Sequence, residues 1–209
     1  RHPEYDSFLE ERWLFEAISE TYLPLLRAMK RLEGDGVPFE LAMSFSPTLS
    51  FMLRDGFLLE RYAGYLENNV ILAEKELTRT AGSDHERRLA QLYYDRYTQD
   101  LRDLDETYER NILKGFDYFA KRGHIELLAT SATHAFLPNF RNFPETVKLQ
   151  VELGVQSHRR NFATHPRGFW LPECGYYEGL EETLADVGID YYISAAHGVL
   201  FGHPSPANG

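Results

Sequence analysis

Apolar residues return at intervals of three and four from Glu10 to Arg31, where Trp13, Leu14, Ala17, Ile18, Tyr22, Leu25, Leu26 and Met29 form one stripe. At 3.6 residues per turn such positions share a face, so the spacing predicts an amphipathic helix. Pro24 lies inside it and should kink or split it, because proline has no N–H to give and its ring crowds the preceding turn. Gly34-Asp35-Gly36 reads as a turn, and Pro38 to Phe45 as a short buried strand within the segment 34–45. Ser46-Pro47 then opens another helix, with serine as the N-cap and proline as the first helical residue.

Two further helical stretches, 57–78 and 86–122, are separated by Thr80-Ala81-Gly82-Ser83-Asp84, whose small and polar side chains suit a turn. In the second, Leu89, Leu92, Tyr93, Tyr97, Leu101, Leu104, Tyr108 and Ile112 hold one face for about ten turns. The spacing drifts from strict heptads, which favours a packed helix hairpin over a coiled-coil dimer. Past Gly123 the period shortens. His124 to Thr130 is a strand, Pro144 opens a helix to about Phe162, Gly168 to Pro172 is a strand ending in Glu173, Glu178 to Val187 is a helix stopped by Gly188, and Asp190 to Ser194 is a strand. Strands alternating with helices call for a parallel sheet covered by helices, hence the α/β class. The segments 34–45, 123–131, 167–173 and 188–195 are expected as adjacent parallel strands, with about 46–122 as a helical insertion.

Among the 209 residues, 22 are Lys or Arg and 32 are Asp or Glu, a net charge of −10. With a pI near 5.3, bulk electrostatics argue against a nucleic-acid partner, which needs a cationic face to displace counterions. The apolar runs are short pieces such as Phe57-Leu58-Leu59, far from the roughly 20 residues of a membrane-spanning helix, so no membrane partner is expected. The amino terminus lacks both Met and the apolar centre of a secretory signal, which predicts a cytoplasmic setting or a chain cut from something longer. Cys174, the single cysteine, cannot form an internal disulfide and fits that reducing setting.

If the parallel strands belong to a barrel, its chemistry belongs at their carboxyl ends. The strand ending at Leu171 brings Glu173 and Cys174 to that edge, the strand 124–130 brings Thr133 and His134, and the first strand brings Ser44 and Ser46. Glu173 is the sharpest candidate: Trp170, Leu171 and Pro172 should lower the dielectric around it, and Gly175 should leave space beside it. On local pattern alone a solvated loop glutamate fits equally well. His134, next to Ala135, Phe136 and Leu137, reads first as a hydrogen-bonded core histidine, and Cys174 as a small packed hydrophobe. The histidines lack metal-ligand spacing and no paired cysteines accompany them, so no metal or other cofactor is expected. The tyrosines and tryptophans could be sugar-stacking platforms, but the helical spacing of most favours the core.

Three segments together resemble glycoside hydrolase family 57, and within it the 1,4-α-glucan branching enzymes: Arg1-His2-Pro3-Glu4-Tyr5 with Phe8 to Ala17, Ala132-Thr133-His134-Ala135-Phe136-Leu137-Pro138, and Phe169-Trp170-Leu171-Pro172-Glu173-Cys174-Gly175-Tyr176. The likeness runs over essentially the whole chain, and Trp-Leu-Pro-Glu-Cys is its most specific piece. The resemblance implies an incomplete (β/α)7 barrel of the TIM-barrel type with a helical insertion. It implies retaining chemistry on α-glucan with Glu173 as nucleophile. His134, Trp170 and Glu126 match positions that bind substrate. Family members begin with a His-x-His-x-Pro strand and place their general-acid Asp well beyond the nucleophile. The chain is therefore expected to be the amino-terminal part of a single catalytic domain, without the first strand, the carboxyl-terminal part or the acid.

A retaining enzyme needs two carboxyl groups about 5 Å apart, one to attack the anomeric carbon and one to protonate the departing oxygen. By resemblance, a glucan 6-hydroxyl then takes the chain from Glu173 to make an α-1,6 branch. A 4-α-glucanotransferase or an α-amylase-type hydrolase of the same family differs only in the acceptor. Two rivals of other classes are a metal-dependent polysaccharide deacetylase, which needs an Asp and two chelating His, and a non-catalytic helical scaffold.

Overall fold

The computed structural model describes residues 8–203, so the Arg1 to Tyr5 part of the resemblance lies outside the described residues. In chain order the elements are α1 (Leu9–Ala17), α2 (Leu23–Gly34), β1 (Leu41–Ser44), α3 (Pro47–Met52), α4 (Gly56–Arg79), α5 (Asp84–Arg102), α6 (Leu113–Lys121), β2 (Ile125–Thr130), α7 (Pro144–Asn161), β3 (Gly168–Trp170), α8 (Leu180–Asp186), β4 (Tyr191–Ile193) and α9 (Ala196–Leu200). They fall into two compact units. One comprises residues up to Pro38 with Met52–Phe116, the other Phe39–Phe51 with Asp117 onward.

The first unit is helical. Pro24 does not split the first helix: the turn Ile18–Tyr22 between α1 and α2 widens, with the Leu23 N–H reaching back five residues to the Ile18 carbonyl. That wider turn absorbs the bond Pro24 cannot make. Asp55 caps α4 by accepting from the N–H groups of Phe57 and Leu58, each at 3.1 Å. The hairpin α4–α5 forms as expected, but the predicted face is buried only in its second half. Leu89, Leu92 and Tyr93 are exposed, whereas Leu104, Tyr108 and Ile112 of the same stripe are buried, and so are Ala90, Asp100 and Asp103 beside it. The reason is an ion pair that the apolar pattern does not encode. The Arg27 guanidinium donates to Asp103 at 2.6 Å and also to Asp100, and draws both carboxylates inward.

The expected ten-turn helix also ends early. After Arg102 a wide turn over Asp103–Thr107 closes with the Tyr108 N–H on the Asp103 carbonyl, and Glu109 and Arg110 take left-handed backbone angles. Asp103, Asp105 and Glu106 crowd a helix carboxyl end, whose dipole disfavours negative charge. The chain restarts as α6.

The second unit is a parallel sheet in the order β1-β2-β3-β4. The four expected strands are there, adjacent and parallel, though shorter than their predicted segments. Ile125 to Leu128 pair with β1, while Ala129 and Thr130 pair with β3. Closing a sheet into a barrel requires a stagger of this kind. Ala129, Val147, Val151, Val155, Phe169, Leu171, Leu180 and Leu184 form the core between strands and helices. β1 is not the buried strand expected: Leu41 is 43% exposed, and the burial falls instead on Phe45 just past the strand. As the edge strand among the described residues, β1 pairs on one side only. Ser46 caps α3 by accepting the Leu49 N–H at 3.2 Å, as its place before Pro47 predicts. Among the described residues no helix is long and apolar enough to cross a membrane.

Candidate active site

Two loops at the carboxyl edge of the sheet form the site. The first leaves β2 at Thr130 and is tied to α7. Ala132 N–H donates to the Gln150 carbonyl at 2.9 Å, Thr133 N–H donates to the Gln150 side-chain oxygen at 3.0 Å, and the Gln150 amide donates to the Thr133 hydroxyl at 3.0 Å. α7 comes this close because Gly154 has no side chain; a Cβ there would stand 2.0 Å from the Thr130 carbonyl oxygen. The loop then turns at His134, which takes a left-handed φ of 54°.

The second loop leaves β3 at Trp170. The buried Thr130 hydroxyl donates to the Trp170 carbonyl at 2.9 Å and joins the two strand ends. Leu171 and Pro172 turn inward and are buried. Glu173 and Cys174 then take φ values of 52° and 54°. Cys174 N–H bonds the Leu171 carbonyl at 2.9 Å, Gly175 N–H bonds the Pro172 carbonyl at 3.0 Å, and the Ser194 hydroxyl after β4 donates to the Cys174 carbonyl at 3.4 Å. Three of the five non-glycine residues with positive φ among the described residues are thus His134, Glu173 and Cys174. Such angles cost about 1–3 kcal/mol each and persist where surrounding bonds enforce them.

The result is one juxtaposition. His134 Nε2 lies 3.6 Å from Glu173 Oε1, with the two side chains 49% and 75% exposed. His134 is therefore no core histidine. The expectation that bulky neighbours would desolvate Glu173 is also corrected, because the left-handed turn sends its carboxylate outward while Leu171 and Pro172 go inward. Nor is the space beside Gly175 empty: a Cβ there would meet the Phe136 ring at 2.3 Å. Trp170 is half-buried, in register with Thr130 and Ile193.

Glu126 does not join this site. It is the second residue of β2, opposite Ala42 and about 13 Å from Thr130 along the strand. Its neighbours there are Tyr191 and Arg167. Burial, and then the bond to Glu126, push the Tyr191 phenol up to about 12. Past Gly175, Tyr176 stacks on Tyr192 with ring centres 5.5 Å apart and donates to Glu181 at 2.9 Å. Desolvation first, and then Glu181, raise the Tyr176 phenol, which keeps its proton. Among the described residues no three His, Cys, Asp or Glu converge as metal ligands would. Gln150 and Ser194, which hold the two loops, carry no signal in the sequence that marks them as part of a site.

The sequence profile described as glycosyl hydrolase family 57 matches residues 1–207. An alpha-amylase of Thermotoga maritima is 40% identical and superposes with a TM-score of 0.93, covering 99% of this chain and 39% of that one. A branching enzyme of that family from Pyrococcus horikoshii is 30% identical with a TM-score of 0.81, covering 93% of this chain and 39% of that one. A 1,4-alpha-glucan branching enzyme of Thermococcus kodakarensis is 29% identical over 198 residues, 88% of this chain and 29% of that protein. The chain thus spans between a quarter and two fifths of the length of these relatives. Its staggered parallel sheet is part of a (β/α)7 barrel. With the match running from the first residue almost to the last, the chain belongs to glycosyl hydrolase family 57.

Proposed function

We propose that this chain carries the nucleophile of a retaining α-glucan-active enzyme, with Glu173 as that nucleophile, and that the enzyme makes α-1,6 branches. The observation that carries the reading is the approach of His134 Nε2 to 3.6 Å from Glu173 Oε1 at the carboxyl edge of a parallel sheet, where barrel enzymes do their chemistry. The likeness to the branching enzymes of Pyrococcus horikoshii and Thermococcus kodakarensis supports the transfer to a glucan hydroxyl.

In this reading the outward-facing Glu173 carboxylate attacks the anomeric carbon. The bond from that carbon to the glycosidic oxygen breaks, and the leaving oxygen takes a proton from a carboxylic acid that the remainder of the enzyme supplies. The glycosyl ester on Glu173 is then opened by a glucan 6-hydroxyl, whose proton returns to the same acid. His134 bonds the sugar at the cleavage point, and the half-buried Trp170 gives the adjoining wall. The present residues are then the amino-terminal part of the catalytic domain, with 46–122 a helical insertion between β1 and β2. Coverage of only 39% of the Thermotoga maritima relative supports this division. The lone cysteine supports a reducing, cytoplasmic setting.

The second reading is hydrolysis, in which water opens the ester, and the 40% identity to an alpha-amylase favours it. Product analysis from amylose separates the two, with Glu173→Gln as the control. α-1,6 branch points made by the complete enzyme and abolished by Glu173→Gln support branching. Short linear glucans alone support hydrolysis, and branching that survives Glu173→Gln refutes the nucleophile assignment.

A further inference from the structure

We propose that Phe136 is a positioning residue for Glu173: its ring, packed over Gly175, ties the His134 loop to the Glu173 loop and sets the spacing of the two side chains. The inference rests on the reading of Glu173 as nucleophile. Its basis is an asymmetry at Gly175. Glycine is usually demanded by a left-handed backbone, but Gly175 has φ −75° and ψ 116°, which any L residue adopts. What a side chain there would meet first is the ring of Phe136, itself 39% exposed. A Cβ at position 175 would stand 2.3, 2.8 and 3.1 Å from three atoms of Phe136, and no other atoms are nearer.

Phe136 sits two residues after His134, and Gly175 two residues after Glu173, so the contact closes a bracket whose open end is the pair of functional side chains. Each loop is otherwise held from its own side. Gln150 holds Ala132 and Thr133, and Ser194 holds the Cys174 carbonyl. The Thr130 to Trp170 bond joins the strands beneath. Above that bond, the contact of Phe136 with Gly175 carries the spacing from one left-handed turn to the other. In this proposal a side chain at position 175 shifts the His134 loop as well as the ring, and an error of about 1 Å in a reacting group can lower a rate a hundredfold.

The test is a double-mutant cycle in the complete enzyme, read by kcat and KM on amylose and by the rate of labelling with an activated fluoro-glucoside. Gly175→Ala should lower kcat and the labelling rate tenfold or more with KM changed less than threefold. Phe136→Ala should lower kcat several-fold, Phe136→Tyr should retain it, and Gly175→Ala added to Phe136→Ala should cost nothing further. A merely structural contact would instead lower the melting temperature of Phe136→Ala with kcat unchanged, which overturns the proposal. So does a Gly175→Ala loss of equal size with and without the ring. Should Gly175→Ala fail to fold, the contrast of Phe136→Ala with Phe136→Tyr decides in the same way. If Glu173→Gln is itself active, the underlying reading has failed; if Glu173→Gln is dead and Gly175→Ala is normal, only this inference has.

Discussion

A surface carboxylate becomes a nucleophile through where its backbone points it and what stands beside it. Glu173 has both: a left-handed turn that lifts it from the sheet edge, and an imidazole 3.6 Å away. If His134 bonds the sugar, His134→Ala in the complete enzyme should lower kcat/KM by a hundredfold or more while the melting temperature stays within about 2 °C. An exposed side chain with few packing partners gives up little stability, and alanine keeps the same left-handed backbone without needing glycine. A large loss of stability with activity retained contradicts the role. That His134 and Glu173 lie at one edge of the sheet was legible from the strand order, but the local pattern read His134 first as a core histidine, and only the family resemblance singled out the pair. Glu126 was grouped with them by resemblance alone, and matching a motif does not say at which end of a strand a residue stands. Phe136 and Gly175 were legible as residue types but not as partners, since neither carries a periodic signal.

At the scale of elements, apolar spacing located the helices and strands, and buried charge decided which helix faces turned inward. Leu104, Tyr108 and Ile112 of the expected stripe are buried, yet Arg27 holds Asp100 and Asp103 in the interior and the earlier part of the stripe, Leu89, Leu92 and Tyr93, faces out. Desolvation raises the Asp100 carboxyl above its ordinary range, with Arg27 acting against that shift. The last turns of α7 carry a second buried polar group. His158 is 4% exposed, donates from Nε2 to the Thr164 carbonyl at 3.1 Å, and lies 5.1 Å from the Phe162 ring.

Burial lowers the His158 pKa to about 4 from an ordinary 6.5. Between those values the unfolded chain binds a proton that the folded chain refuses. The contribution of His158 is therefore fully present above pH 6.5 and is lost progressively as pH falls toward 4, by up to about 3 kcal/mol. Thermal unfolding of the protein and of His158→Gln from pH 4 to 7 checks this. The histidine chain should lose stability more steeply on acidification over that window, and parallel curves would contradict the assignment.

For the whole molecule, the order of strands and helices gave the α/β class directly, because alternating elements leave few arrangements other than a parallel sheet. The stagger of β2 between its two neighbours was not legible, since register depends on partners that the local sequence does not name. Nor was the break at Glu109 and Arg110, where the apolar repeat continues through Ile112 while the backbone leaves the helix. The proposed chemistry turns on one atom, the carboxylate oxygen of Glu173 that would form the glycosyl ester. The most direct test is mass spectrometry of the complete enzyme after reaction with an activated fluoro-glucoside. With Glu173 as nucleophile, a covalent sugar should appear on the peptide that contains Glu173 and be absent from Glu173→Gln; a label on another carboxylate, or one that persists in Glu173→Gln, would rule the assignment out.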